Sequence, residues 1–174
     1  DILPVNNKIK VLDISMCETL IEFAIGNLPA LEEIKTSDKN IKLKTIGINT
    51  HSILMNKIKK LDFSNLPKLY YLRFDGRNKT DILESINLSN CPELSHLILH
   101  NTNLKSITIN ENNNIKFMQI DNNNLDESQL KNVIGSLVND GKNKDRSLYI
   151  NGNPGITNQV KEKCDELSDW KVTY

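Results

Sequence analysis

The side chains of this sequence that could perform acid–base or metal chemistry are few, and only one set of them is expected to meet. Asp75, His100 and Asp121 occupy the same position in successive copies of a repeated pattern of alternating aliphatic residues. Equivalent positions on neighbouring strands lie about 4.8 Å apart. An imidazole between two carboxylates could bind a cation or another ligand, or form part of an acid–base pair. The alternative is a solvated row of charges in which the histidine offsets the repulsion between the carboxylates.

The spacing of the histidines disfavours a metal site. His96 and His100 belong to one predicted strand, and a rise of about 3.3 Å per residue places them roughly 13 Å apart, too far to bind one ion. The row around His100 would offer a metal ion one imidazole with no defined partner behind it. The third histidine, His51, stands in an earlier repeat. We therefore expect no metal ion and no cofactor.

Motifs and composition argue against several classes of function. The sequence contains no P-loop, dinucleotide-binding glycine pattern, nucleophile elbow or zinc-protease motif, so we expect no enzyme and assign no catalytic residue. Basic and acidic residues both number 22 and cancel, which leaves no electrostatic footprint for binding nucleic acid. No apolar run approaches the roughly 18 residues needed to cross a bilayer, so we expect no membrane insertion by this segment.

The cysteines and the first residue bear on the cellular compartment without deciding it. Cys17, Cys91 and Cys164 are widely spaced and match neither a metal pattern nor a disulfide framework, so we expect buried free thiols. The chain begins at Asp1 rather than at a methionine, which indicates a processed or truncated form whose export signal would lie outside it.

A repeat of the form L-x-x-L-x-L, where L is any aliphatic or aromatic residue, predicts the elements that would position these side chains. Short alternation followed by turn-forming residues is typical of a half-buried strand. Turn formers are abundant, because the chain contains 25 asparagines, many of them in clusters such as Asn122 to Asn124. The middle aliphatic position of the repeat recurs at Leu12, Phe23, Ile34, Ile46, Leu61, Leu72, Ile86, Leu97, Ile107 and Met118. The inward position two residues later is also apolar, except at Thr36.

The repeats alternate in kind and pair into larger units. One kind ends S-N-x-P-x-L, as in LDFSNLPKL (Leu61–Leu69) and INLSNCPEL (Ile86–Leu94), and the other ends more variably, as in QIDNNNL (Gln119–Leu125). Pairing them gives five coils whose second strands are 21 to 26 residues apart. That spacing falls within the roughly 20–29 residues of a leucine-rich repeat.

These motifs resemble those of bacterial surface leucine-rich repeat proteins, internalin-like in broad class, whose coils read L-x-x-L-D-[LIV]-S-x-[CN]-P-x-L followed by L-x-x-L-x-[LC]-x-x-N. The resemblance covers about Ile9 to Leu125, with Asn123 at the consensus asparagine and Leu28 departing from it in an early coil. It implies a right-handed α/β leucine-rich repeat solenoid with short parallel strands. It also implies an exported bacterial protein, secreted or at the cell surface, that binds proteins or glycans, as in adhesion. The fold alone does not choose the partner.

The periodicity changes after the fifth coil. We predict a leucine-rich repeat solenoid over residues 1–125 and a C-terminal cap, continuous with it, over residues 126–174. Stacked coils leave an open hydrophobic end and an unpaired strand edge, so a capping element is required. We expect a helix, a strand and a second helix, with Trp170 covering the end.

Local signals in the tail support this helix-strand-helix cap. Asp126 and Gln129 form a capping-box pair ahead of apolar residues at helical spacing. SLYINGNPG (Ser147–Gly155) predicts a strand, with Asn153 at the consensus asparagine position. Thr157 is placed to cap the closing helix.

Alternation also predicts which side chains point outward and stand side by side on the second kind of strand. Aromatic residues and an arginine gather there in the C-terminal coils, and these are enriched at protein interfaces. The alternative is that the rings only stack to stabilise the sheet. The predicted binding residues are Tyr71, Arg73, Asp75, His96, Ile98, His100, Phe117, Gln119, Asp121 and Tyr149.

The first kind of strand carries mostly small or charged outward residues, such as Asp62, Asn87 and Thr108. The two sides are therefore unlike, and the second strands are the expected binding surface. We expect a non-enzymatic recognition domain whose partner is a protein or a glycan. The alternative is a structural spacer domain within a larger surface protein.

Overall fold

The computed structural model describes residues 8–26, 28–49, 57–76, 83–111, 113–142 and 145–174. They form an α/β structure of mostly parallel strands in stacked sheets, with two helices. The helices are α1 (Glu127–Ser136) and α2 (Asn158–Asp165). The strands are β1 (Val11–Asp13), β2 (Glu22–Gly26), β3 (Glu33–Lys35), β4 (Thr45–Asn49), β5 (Lys60–Asp62), β6 (Tyr71–Asp75), β7 (Ser85–Leu88), β8 (His96–His100), β9 (Ser106–Ile109), β10 (Phe117–Gln119), β11 (Arg146–Tyr149) and β12 (Trp170–Thr173).

Successive strands along the chain join different sheets. Within the described ranges, one seven-stranded sheet, here the long sheet, has the order β12-β11-β10-β8-β6-β4-β2. On the other side β1 pairs with β3, and β5, β7 and β9 form a second group; these are here the short sheets. The strand pairs are parallel. This alternation is consistent with a solenoid-like arrangement in which each coil gives one strand to each side.

Inward side chains fill the space between the two sides with aliphatic groups. Leu72, Leu97 and Met118 of the long sheet are fully buried, as their alternation with outward residues predicts. In the first coil, Leu12 and Phe23 are only half-buried against the same core. The predicted inward register is confirmed at these positions, and burial is most complete in the coils that carry the predicted binding residues.

Buried asparagines tie one coil to the next. The side-chain amide of Asn123 donates to the carbonyl oxygens of Leu99 and Ile120, at 2.5 and 3.0 Å. Its own oxygen accepts from the backbone N–H and the hydroxyl of Thr102, at 2.9 and 2.8 Å. Asn153 repeats the arrangement one coil later, donating to Ile120 at 2.9 Å. Because a buried carbonyl without a donor is destabilising, this position is structural.

Asparagine also forms the turns that follow the strands. Asn101, Asn103 and Asn122 have φ values of 58°, 65° and 54°. This left-handed conformation is one that asparagine adopts more readily than most residues. The asparagine clusters are therefore turns here, as the composition predicts.

Thr36 corrects the sequence prediction, which placed it inside a strand. Strand β3 ends at Lys35, and the Thr36 hydroxyl donates to the side-chain oxygen of Asn65 at 2.8 Å. A polar group is tolerated at this inward position because it has a hydrogen-bond partner. Nearby, β3 and β5 are not hydrogen-bonded neighbours, which divides the short sheets.

Both helices of the tail begin at the predicted caps. Asp126 precedes α1 and its carboxylate accepts from the Gln129 backbone N–H at 2.8 Å. Thr157 precedes α2 and its hydroxyl oxygen accepts from the Val160 N–H at 3.3 Å. These bonds satisfy backbone donors that have no partner within the first helical turn.

The structure of the tail has one element more than the predicted helix, strand and helix. Trp170, expected only to cover the end, begins β12, which pairs in parallel with β11. The tail is thus helix, strand, helix, strand, and the long sheet runs from β10 through both tail strands. These four residues stand outside the repeat pattern, and the exposed edge of β11 supplies the backbone partners that make them a strand. The boundary between residues 1–125 and 126–174 stays a prediction.

The cysteines are free, and two of the three match the expectation. Cys91 and Cys164 are buried, and burial raises the pKa of their thiols to about 12 and about 11 respectively. Cys17 is exposed in the turn after β1, so the prediction that it is buried is wrong. Its turn lies in the first coil, where burial is least complete.

Candidate functional site

The register of the long sheet brings the predicted binding residues into neighbouring columns. Tyr71 of β6 is the partner of His96 on β8, which in turn is the partner of Phe117 on β10. Two residues further along the strands, the column is Arg73, Ile98, Gln119 and Tyr149. All of these side chains alternate with fully buried ones and point away from the core.

Rings from adjacent strands form a continuous aromatic row, here defined as Tyr70, Tyr71, His96, Phe117 and Tyr149. The ring centroid of His96 lies 6.1 Å from that of Tyr71 and 6.2 Å from that of Phe117. Tyr149 continues the row, 5.6 Å from Phe117. Such offset and tilted pairs stabilise one another beyond the burial of their area.

Tyr70 is a member of the row that the sequence analysis missed. It precedes β6, so strand alternation does not place it in an outward column, yet its ring lies 5.6 Å from that of His96. Tyr70 is 46% exposed and is the most open residue of the row, while Tyr71, His96, Phe117 and Tyr149 are half-buried. The sequence signal that could have identified Tyr70 is its position directly before Tyr71, the first residue of β6.

A second row of polar side chains, here the polar row, lies where the strands end. It consists of Asp75, His100, Asp121 and Asn151. Asp75 and His100 are register partners. The backbone N–H of Asn101 donates to the backbone carbonyl oxygen of Asp121, and that of Asn122 donates to the backbone carbonyl oxygen of Asn151. These bonds continue the same register to the next two coils. The sequence prediction that Asp75, His100 and Asp121 stand side by side therefore agrees with the geometry.

His100 is bound to one carboxylate, not held between two. Its Nε2 lies 2.5 Å from Asp75 Oδ1, and its Nδ1 lies 3.0 Å from the side-chain amide of Asn101. A neutral imidazole protonated at Nε2 satisfies both contacts, because it donates to the carboxylate and accepts from the amide. Arg73 binds the other oxygen of Asp75 at 2.5 Å. The expected histidine between two carboxylates is corrected to an Arg73–Asp75–His100 chain.

Asp121 is bonded differently from Asp75. Its Oδ2 accepts from the side-chain amide of Asn122 at 2.8 Å. Its Oδ1 is buried and has no hydrogen-bond partner among the described residues, and the residue as a whole is 7% exposed. An unsatisfied buried carboxylate oxygen is uncommon in folded proteins and needs an explanation.

The polar row contains carboxylates and an imidazole, which are the groups of an acid–base pair, but their arrangement defines no atom on which they would act. Both nitrogens of the His100 ring are engaged, so it has no lone pair directed at a substrate in this arrangement. In the described parts of the chain, no group of three His, Cys, Asp or Glu side chains is placed to hold a metal ion. His51 lies outside the described residues.

The short sheets present a surface of another kind. Asp62 accepts from the backbone N–H and the hydroxyl of Ser64, at 3.0 and 2.6 Å, and Asp13 makes the same pair of bonds with Ser15. These bonds, that from the serine hydroxyl first, lower the pKa of both carboxylates. The outward acids on this side are thus satisfied by their own turns, and the residues described there include no stacked rings.

No protein-family model matches the chain, and no curated protein matches it. Neither helix of the described residues is long and apolar enough to span a membrane.

Proposed function

We propose that this chain is a leucine-rich repeat recognition domain of an exported bacterial protein, secreted or at the cell surface. It binds a protein or a glycan, without catalysis, through the outward residues of the long sheet. The binding residues are the aromatic row, the polar row and, in the column between them, Arg73, Ile98 and Gln119. This proposal joins the resemblance of the sequence to bacterial surface repeat proteins with the chemistry of one face of the molecule.

Several observations support the leucine-rich repeat and its solenoid. Parallel strands recur with the spacing of that repeat, and inward leucines alternate with outward residues. The buried amides of Asn123 and Asn153 bond backbone carbonyls of their own and the preceding coil. In such a repeat each coil packs only on its neighbours, and outward residues are left free to vary with the ligand.

The observation that carries the recognition function is the aromatic row itself. Four rings from neighbouring strands of the long sheet, and that of Tyr70 just before β6, lie in contact on one side, and Tyr70 is nearly half exposed. Stacking alone accounts for ring contacts, but not for a tyrosine, Tyr70, that stays nearly half open to solvent at the edge of the row. Tyrosine and arginine in such patches are the residues whose truncation most often weakens binding.

The test uses a glycan array and a pull-down of host proteins with the isolated chain, followed by paired variants. Tyr71→Ala with Phe117→Ala should leave the circular dichroism spectrum unchanged and weaken binding of the captured ligand by about 2 kcal/mol or more, because interface anchors are lost. The matched control is Lys60→Ala with Thr108→Ala, two exposed positions of the short sheets. That control should bind like the parent chain.

Two outcomes would count against this function. A ligand retained by the aromatic variant but lost by the short-sheet control would place binding on the other side. A chain that captures nothing in either screen would favour the structural spacer, for which the rings serve only to stabilise the sheet.

A further inference from the structure

The rings of the aromatic row lie against one another, which limits what can stack on them. His96 has Tyr71 on one side and Phe117 on the other, with interplanar angles of 31° and 21°. Phe117 is in turn followed by Tyr149 at 5.6 Å. The C–H groups of a sugar are attracted to the electron-rich face of an aromatic ring, and each of these two central rings has a ring neighbour on either side. At its centre the row therefore offers mainly ring edges, which suit the mixed side chains of a polypeptide better than a saccharide.

The charges beside the row do not balance. Arg73 is paired with Asp75, and His100 uses its two ring nitrogens on Asp75 and Asn101. In the described part of the chain, no basic side chain lies within ion-pair distance of Asp121. Arg73 thus offsets Asp75, and the Asp121 carboxylate is left without a basic partner among the described residues.

The contacts of Asp121 show where a new donor would be accepted. The carboxylate is buried, and its one side-chain partner is the amide of Asn122. Asn122 lies in a turn with φ 54° and is half-exposed, packed over Gly152, where a Cβ would come 2.2 Å from its Oδ1. Burial of a carboxylate with an unsatisfied oxygen destabilises the folded chain. Residues that reduce stability in this way are commonly retained for binding.

From these observations we infer that the partner is a polypeptide that places a basic side chain, arginine or lysine, beside Asp121 while its apolar groups cover the aromatic row. The inference rests on the recognition function proposed above and specifies the ligand of the same face. The aliphatic stem of the basic residue lies along Tyr149, the ring whose column adjoins the polar row. Its charged group pairs with the Asp121 carboxylate and supplies a donor for the free oxygen.

The experiment selects peptides from a random phage-displayed library on the parent chain and assays synthetic versions against Asp121→Asn. Selected peptides should contain arginine or lysine, and Asp121→Asn should weaken their binding at least about tenfold, roughly 1.4 kcal/mol. Replacing the basic residue of a peptide by neutral citrulline or norleucine should weaken its binding to the parent chain as much as Asp121→Asn does. The same replacement should cause no further loss of binding to Asp121→Asn, because the two changes remove one interaction. Asp38→Asn, at an exposed turn after β3, removes a charge elsewhere and should bind like the parent.

A second measurement separates binding from a structural role of Asp121. Urea unfolding of Asp121→Asn should give a free energy equal to or above that of the parent, since the variant removes a buried charge without a donor. A clear loss of stability would mean that the carboxylate serves the fold, and would overturn the inference.

The outcomes distinguish this inference from the function on which it rests. Peptides that require Tyr71 and Phe117 but bind Asp121→Asn normally would overturn the basic partner and leave recognition standing. Glycans bound through the same rings, with no peptide selected, would do likewise. If neither peptides nor glycans bind in a manner that depends on the aromatic row, both proposals fail.

Discussion

At the scale of single residues, burial divides the three cysteines into two classes of reactivity. Cys17 is exposed, whereas Cys91 and Cys164 are buried with thiol pKa values raised to about 12 and about 11. Only the thiolate reacts rapidly with an alkylating reagent. At about pH 8, iodoacetamide should therefore label one cysteine of the folded chain and three in urea, as counted by mass spectrometry.

The matched variant for this labelling is Cys17→Ser, which should remove the fast reaction without altering the slow ones. Cys91 also donates its S–H to the Phe63 carbonyl oxygen at 3.2 Å within the core. Rapid labelling of Cys91 in the folded chain would contradict the packing of its coil.

At the scale of elements, the tail from Asp126 protects the last strand of the preceding coils. Strand β11 pairs with β10, and the tail side chain of Asn153 accepts from the Leu125 backbone N–H at 3.1 Å. Deleting residues 126–174 should expose the β10 edge and the core beneath it, and exposed edges and open repeat ends promote aggregation. Size-exclusion chromatography with light scattering should detect aggregates of the 1–125 fragment.

A shorter deletion, of residues 170–174, provides the comparison. It removes β12 and the Trp170 indole, which donates to the Val138 carbonyl oxygen at 3.0 Å, but leaves β11 in place. We expect this variant to be monomeric and less stable. A monomeric 1–125 fragment with unchanged circular dichroism would show that the tail is a separate module.

At the scale of the whole molecule, hydrogen-bonded carboxylates link stability to pH. The pKa values of Asp13 and Asp62 are lowered chiefly by the hydroxyls of Ser15 and Ser64, that of Glu127 by Lys131, and that of Asp140 by the Lys142 backbone N–H. Each group is held charged in the folded chain more strongly than in the unfolded chain. Their contribution is therefore present above the ordinary carboxyl pKa of about 4 and is lost as the pH falls through the lowered values.

Urea unfolding between about pH 6 and pH 3 measures this effect. The free energy of unfolding should fall toward the acid end, and Ser15→Ala with Ser64→Ala should make the fall shallower by removing the largest cause at two of the sites. The same slope for this variant and the parent would mean that these turns do not set the acid sensitivity.

The sequence alone determined whatever depends on neighbours along the chain. Alternation around Leu72, Leu97 and Met118 predicted which side chains point inward, and capping residues predicted where both helices begin. Because the repeat has a nearly constant period, the same alternation predicted that Tyr71, His96 and Phe117 are neighbours across strands. A periodic chain converts local pattern into long-range register.

Tertiary structure decided the features that depend on which partner a group finds in space. His100 binds Asp75 and leaves Asp121 to Asn122, a choice between equivalent carboxylates that spacing cannot make. Tyr70 joins the aromatic row from outside a strand, and β12 forms because the edge of β11 supplies hydrogen bonds. In each case the local sequence permits more than one arrangement. The selection comes from side-chain contacts and backbone donors that exist only once the coils are stacked.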